Sequence, residues 1–364
     1  MNPKDPCPFD MDAQFLLGVL NGMSEMVRVT DGKSNVLMEN SAYSSWRGDK
    51  APDKCFEAIG LGYPCTECIS LRAIEEDRRL FKEITIGRRV YAIESCPIRD
   101  RTGKNVAAME EIKDITEYRQ MYSELMDRNK KMENDLEMAR SLQHALLPKE
   151  ISFGEYSFYS IFRPCERLGG DVFDIIDLTP SRKAFYIADV SGHGVTAAMM
   201  TMLLYETVRF IAQRNLKHSA SEDILAMMQK SFNPPTFGDD KYITVILGVL
   251  DTESGKVELA NAGHTMLPVY ISPKGATWEI EISGMPLSNW AAAAKYKGSR
   301  LVMEKGGKLL LYTDGFAGGG REGYKGIQPI LKGVKGDKII RALVRHATSI
   351  KIEDDITLLM LQRG

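Results

Sequence analysis

The sequence lacks any long unbroken apolar run. In 364 residues the longest uncharged stretch of note, Val190 to Tyr205, falls short of the roughly 20 apolar residues a bilayer helix requires, and Gly192, His193 and Gly194 interrupt it. That excludes it as a membrane span. A charge excess is missing as well: 47 Lys and Arg stand against 49 Asp and Glu, a net charge of -2, so no global positive field gathers nucleic acid or anionic lipid. Six cysteines are too few for a disulfide framework in a chain of this length and read first as thiols or metal ligands. The opening MNPKDPCPFDMD carries three acids and three prolines where a secretory leader would carry a basic start and an apolar stretch, which points to the cytoplasm. What remains, 44% hydrophobic and 26% charged, is ordinary globular composition, and the length predicts two domains with a connecting element.

Residues 1–13 read as a tail and 14–117 as a small mixed unit. A helical start, FLLGVLNGM, leads to a strand MVRVT, the turn Asp31-Gly32 and a strand NVLMEN. After IEEDRRLFKEITI come the strand RVYAIESCPI, the turn DRTGK and the strand NVAAMEEIKDIT, an antiparallel hairpin whose turn chemistry follows Arg99. This order, closing in Asp114, Ile115 and Thr116, resembles a PAS sensor domain. From 118 to 147 neither glycine nor proline interrupts a charged, helix-favouring run. Tyr118, Met121, Leu125, Met132, Ala139, Leu142 and Leu146 recur at an approximate alternation of three and four, the seam of a short coiled coil, with Arg128 and Asp135 breaking it. A homodimer through this helix is the expectation, with a solvated spacer helix as the alternative.

Residues 148–364 are rich in strand patterns, with helices VTAAMMTMLLYETVRFIAQ, SASEDILAMMQKSF and DKIIRALVRHA among them; packed sheets covered by helices follow. Within them, acids recur where an apolar strand ends or a glycine turn begins: Asp171 in LGGD, Asp189 in ADVSGHG, Asp314 in YTDG, and Asp354 and Asp355 in EDDIT. Any one of these is ordinary turn chemistry. Several together near buried strands are costly unless cations meet them. Oxygen ligands without a nearby Cys/His cluster select Mg²⁺ or Mn²⁺ in preference to zinc, and a pair of such ions activates water and clamps a phosphoryl group. Hydrolysis of a phosphate ester is the natural reaction.

The segments ARSLQHALLP, RLGGDVFD, ADVSGHGVTAAM, GVLDTESGKVELANAGH, GMPLS, LLLYTDG and DDITLL, in this order, resemble the SpoIIE/RsbU branch of the metal-dependent (PPM) serine/threonine phosphatases. The resemblance implies an α+β chain: PAS-like domain, helical linker, then an α/β/β/α sandwich with two Mn²⁺ or Mg²⁺ at one end of its sheets. It implies Asp171, Asp189, Asp314 and Asp354 as metal ligands, the backbone carbonyl of Val190 as another, and Asp355 as a supporting or ligating acid. It also implies a phosphorylated STAS-type anti-sigma-factor antagonist as substrate. One departure stands out: the family usually places a glutamate where this chain has Gly318, inside AGGGREG, and the stretch from Gly318 to Gly326 reads as a lid or simple loop.

His193, beside the second acid, is a candidate proton donor to the leaving serine oxygen or else a turn residue. His264 in NAGH has no chemical role assigned by its motif. Cys55, Cys65, Cys68 and Cys96 form a partial metal-like spacing that resembles the PCxxC variant of some PAS domains; zinc, an iron–sulfur centre, a redox pair or ordinary buried thiols all suit it. Two rivals to the phosphatase remain: a non-catalytic partner-binding module on the same fold, and a sensor kinase, which the missing nucleotide motifs disfavour.

Overall fold

The computed structural model describes residues 13–48, 53–213, 218–232, 241–318, 323–332 and 338–364. Cys7 and part of the glycine-rich stretch after Gly318 lie outside them. The chain divides into two compact units, Met1–Lys131 and Met132–Gly364.

In the first unit, helix α1 (Ala13–Asn21) precedes strands β1 (Met26–Asp31) and β2 (Val36–Glu39) and helices α2 (Ser41–Arg47) and α3 (Ile69–Glu76). Strands β3 (Leu80–Ile86), β4 (Arg89–Arg99) and β5 (Asn105–Asp114) complete an antiparallel sheet of order β2-β1-β5-β4-β3. The β1–β2 and β4–β5 hairpins each turn on an aspartate that accepts backbone N–H groups two and four residues on. Asp31 holds Lys33 and Asn35, and Asp100 holds Thr102 and Lys104. Under the sheet Met26, Tyr43, Ile69, Tyr91, Ile93 and Ile112 form the core. A buried ion pair crosses it, Arg28 to Glu110, with Arg28 also donating to the Tyr43 hydroxyl and the Cys55 carbonyl.

Helix α4 (Thr116–Leu146) carries the boundary between the units. The run free of glycine and proline folds as one helix, and Met121, Leu125 and Met132 of the predicted seam are exposed.

The second unit opens with β6 (Ile151–Phe153), β7 (Tyr156–Arg163), β8 (Asp171–Thr179) and β9 (Arg182–Val190), then helices α5 (Gly194–Gln213) and α6 (Ser221–Ser231). Strands β10 (Ile243–Asp251), β11 (Lys256–Ala262), β12 (Val269–Ile271), β13 (Thr277–Glu279), β14 (Gly298–Val302) and β15 (Lys308–Tyr312) follow. Helices α7 (Tyr324–Lys332) and α8 (Lys338–Ser349) and strand β16 (Ile356–Arg363) close the chain. One sheet has the order β14-β11-β10-β9-β8, the other β13-β12-β15-β16-β7-β6.

Alternation along the strands separates three apolar layers. Phe185 and Ile187 of β9 and Ile246 of β10 meet Leu309 and Leu311 of β15 and Leu359 and Leu361 of β16 between the sheets. On the far side Tyr186, Ala188, Val245 and Leu247 pack on α5 and α6. Leu310, Tyr312, Leu358 and Met360 pack on α7 and α8. Four layers, α/β/β/α, result. Strand β10, buried along nearly its whole length, reads as a continuous apolar run because both its faces are covered.

Helix α5 is long and apolar enough by length and composition to cross a membrane; in this fold Ala197, Leu204 and Val208 bury one face of it on the first sheet. Helix α6 starts at Ser221 without a serine N-cap. Ala220 is its N-cap and the Asp223 carboxylate accepts the Ala220 N–H instead. The loop expected as far as Gly326 stops earlier, because α7 begins at Tyr324 and runs through Gly326 and Pro329. Burial of Ile327 and Leu331 in the third layer outweighs the poor helix propensity of glycine and proline there.

Candidate metal centre

Register brings the acids together. Asp171 at the start of β8 faces Asp189 near the end of β9, and Thr244 of β10 is the next residue across from Asp189. Asp314 follows the end of β15 by two residues, and Asp354 and Asp355 directly precede β16. Asp189, Val190, Asp314 and Asp354 line one pocket of about 510 Å³ together with Cys165, Glu166, His193 and Tyr242.

These carboxylates repel one another. Burial, the Asp314, Asp354 and Asp355 charges together push the Asp189 carboxyl up to about 7. Burial, then Asp189 and Asp355, hold that of Asp171 well above the ordinary range. Asp354 is raised by burial, against a bond from the Asp355 N–H, with Asp314 and Asp355 adding to the rise. An all-oxygen set under mutual repulsion fits a hard divalent cation, which relieves the repulsion and suits oxygen donors. Among the described residues no three His, Cys, Asp or Glu side chains stand close enough to grip one ion together. Oxygen donors of this kind suit ions of the Mg²⁺ type, which use one or two carboxylates and keep several waters.

Side chains that spacing alone did not single out set the positions of these acids. Asp171 accepts from the hydroxyls of Thr313, at 2.9 Å, and Thr357, the first in YTDG just after β15 and the second in DDIT on β16 of the opposite sheet. Asp355 is engaged by backbone N–H groups. One of its oxygens accepts the Cys165 N–H at 2.7 Å, and the other accepts those of Gly170 and, at 3.2 Å, Asp171. It is a staple for the loop that delivers Asp171. A third support comes from α4: the buried Gln143 amide donates to the Gly169 carbonyl at 2.8 Å and accepts the Gly169 N–H at 3.1 Å. A Cβ on Gly169 would lie 2.9 Å from Asp355 Oδ2, so a side chain there would displace the Asp355 carboxylate.

His193 is exposed at the pocket, and its Nδ1 lies 2.8 Å from Glu166 Oε1. Glu166 was not foreseen, because it belongs to no acid-plus-glycine signal. Gly318 takes φ +91°, and its N–H donates to the Gly315 carbonyl at 3.3 Å. A glutamate in that turn would be strained, so tight closure of the backbone stands where the family's acid is expected.

Among the described residues the four cysteines do not form a group of three side chains that could hold an ion. Cys96 lies in the middle of β4 with its thiol 3.7 Å from Glu94, whereas Cys65 and Cys68 belong to the loop before α3. Cys55 is buried, and burial pushes its thiol up to about 11. Those described are free thiols.

Two sheets back to back, helices outside and acids clustered at one end define the PP2C-type phosphatase fold. The SiaA-PP2C domain of Pseudomonas aeruginosa shares it at a TM-score of 0.54 and 19% identity, covering 65% of this chain and 99% of that one. The chain belongs to the SpoIIE family: the model of stage II sporulation protein E matches residues 179–364, which hold Asp189, Asp314 and Asp354, with Asp171 just ahead. Phosphoserine phosphatase RsbP of Bacillus subtilis strain 168 is 26% identical over 185 residues, 50% of this chain and 44% of RsbP. Protein IcfG of Synechocystis sp. is 25% identical over 206 residues, 50% of this chain and 32% of IcfG. The chain thus spans less than half the length of either relative.

Proposed function

We propose that this chain is a PAS-regulated, metal-dependent phosphatase that removes phosphate from phosphoserine or phosphothreonine on a protein. Its substrate in this reading is a STAS-type anti-sigma-factor antagonist in a cytoplasmic partner-switching pathway. The observation that carries the reading is the convergence of Asp189, Asp314, Asp354 and the Val190 backbone on one open pocket, with Asp171 facing Asp189 across the strand pair. The name of RsbP, a phosphoserine phosphatase, supports the substrate class.

In this reading Asp171, Asp189, Asp314 and Asp354, with the Val190 carbonyl, hold two Mn²⁺ or Mg²⁺ ions. Bound there, the ions would supply charge neutralisation of the phosphoryl oxygens and acidify water for in-line attack. The protein's own part is to aim and to move a proton. Thr313 and Thr357 orient Asp171, and Asp355 and Gln143 fix the loop before it. Glu166 accepts the Nδ1–H of His193, and in the imidazolium form of His193 the Nε2–H then protonates the serine oxygen as the phosphorus–oxygen bond breaks, leaving a neutral ring.

The five-stranded antiparallel sheet of the first unit, leading into α4, supports the PAS-like sensor reading. The exposed Met121, Leu125 and Met132 support a homodimer through α4. Gln143 on the same helix, bonded to Gly169 two residues before Asp171, gives a route by which that helix reaches the metal acids. The test is substitution of Asp189→Asn and Asp314→Asn in the full chain. Each is expected to abolish Mn²⁺-dependent hydrolysis of a phosphorylated STAS protein and to lower bound Mn²⁺, with the fold kept. Near-normal turnover by either variant would refute the assignment.

A further inference from the structure

His264 ends the NAGH segment, and its surroundings are unusually determined. Gly263 before it takes φ +73°, and a Cβ there would lie 2.7 Å from Pro286, so the chain turns at the only residue type that fits. Asn261 then grips the His264 backbone at both ends: its Oδ1 accepts the His264 N–H at 2.7 Å and its Nδ2 donates to the His264 carbonyl at 2.9 Å. The ring, 5% exposed, bonds through both nitrogens. Nε2 lies 3.0 Å from the Tyr312 carbonyl and Nδ1 2.9 Å from the Thr244 hydroxyl.

A carbonyl only accepts, so Nε2 carries the hydrogen. Burial keeps the imidazole neutral, which leaves Nδ1 bare to accept the proton of Thr244. Thr244 pairs in register with Asp189 on the first sheet, and Tyr312 precedes Asp314 by two residues on the second. The ring therefore spans the two sheets at the end where their acids repel each other. Apolar packing between sheets is non-directional and does not set a spacing there. Two directed hydrogen bonds on a rigid ring do.

We propose that His264 is a positioning residue that fixes the separation of the Asp189 and Asp314 strands, and so the metal affinity of the site. The inference rests on the metal reading above. A site of this kind tolerates misplacement of only about 0.5 Å in its ligands, and loss of an outer support typically costs about 10–100-fold in metal affinity.

The experiment titrates the full chain with Mn²⁺ by calorimetry and records its melting temperature, for the parent, His264→Leu, His264→Gln and Thr244→Val. Leucine fills the space without a donor and is expected to weaken Mn²⁺ binding about tenfold or more. Glutamine returns an N–H to the Tyr312 carbonyl and is expected to recover most of that loss at a similar melting temperature. Thr244→Val, close in shape, is expected to weaken binding severalfold. Equal affinity for leucine and parent, or equal loss for leucine and glutamine, would overturn the proposal and leave His264 a packing residue. If the leucine variant does not fold, unchanged affinity in Thr244→Val overturns it. A parent chain that takes up no Mn²⁺ would instead strike the metal reading itself.

Discussion

Replacing Asp355 with asparagine separates two roles that its place in the sequence leaves confounded, metal ligand and loop staple. The carboxylate is 5% exposed and accepts three backbone N–H groups, from Cys165 on one oxygen and from Gly170 and Asp171 on the other. Asparagine keeps one acceptor and sets an NH₂ group against the remaining donors. At least one charge-assisted bond is lost, and at least one buried N–H is left facing a donor. With such bonds contributing about 1.5–3 kcal/mol and an unsatisfied buried group costing about 1–3 kcal/mol, the loss is about 2.5–6 kcal/mol. For a unit of this size that corresponds to a fall of roughly 5–24 °C in melting temperature. The assay is thermal unfolding of the full chain without added metal, alongside Mn²⁺ calorimetry. A staple lowers the melting temperature in the absence of metal. Unchanged melting together with abolished Mn²⁺ binding would refute the staple and restore Asp355 as a ligand.

Gln143→Leu removes both bonds to the Gly169 backbone at nearly constant volume, and is expected to cost about 2–4 kcal/mol and to weaken Mn²⁺ binding, read by chemical denaturation and calorimetry. Leu125→Asp puts charge on the exposed seam of α4 and is expected to turn a dimer into a monomer by light scattering with the phosphatase unit still folded. Arg28→Met strands the buried Glu110 charge and is expected to destabilise the first unit by about 3–5 kcal/mol, followed by Trp46 fluorescence.

Much of this was legible in the chain because it rests on period and punctuation. The run KAFYIAD alternates between two buried faces and ends in an acid, and the structure puts Asp189 at the open end of β9. What was not legible depends on partners remote in sequence. Thr357 is 186 residues from the Asp171 it binds, and Gln143 is 26 from Gly169, in a helix whose periodicity gives no sign that one polar residue is buried. The cysteines show the limit of spacing from the other side. Spacing between Cys65 and Cys68 says how near two thiols are along the chain, but strand pairing decides where Cys96 goes, and it fixes Cys96 opposite Met109.

The supports around the acids follow one rule. A buried carboxylate surrounded by like charges would swing away from them, so each acid must be held by something that binds it or its backbone more strongly than repulsion moves it. Asp171 is held by two hydroxyls from the opposite sheet and by a backbone that Asp355 grips. The strands of Asp189 and Asp314 are tied through Thr244, His264 and the Tyr312 carbonyl. Asp314 and Asp354 each turn one oxygen back onto the following N–H. Apart from the Asp355 carboxylate, which adds charge and does not cancel it, these holds are neutral donors or backbone groups. A lysine or arginine in their place would lower the repulsion permanently and with it the affinity for a divalent cation, so a site built to bind and exchange such ions is better served by dipoles that position charge without cancelling it.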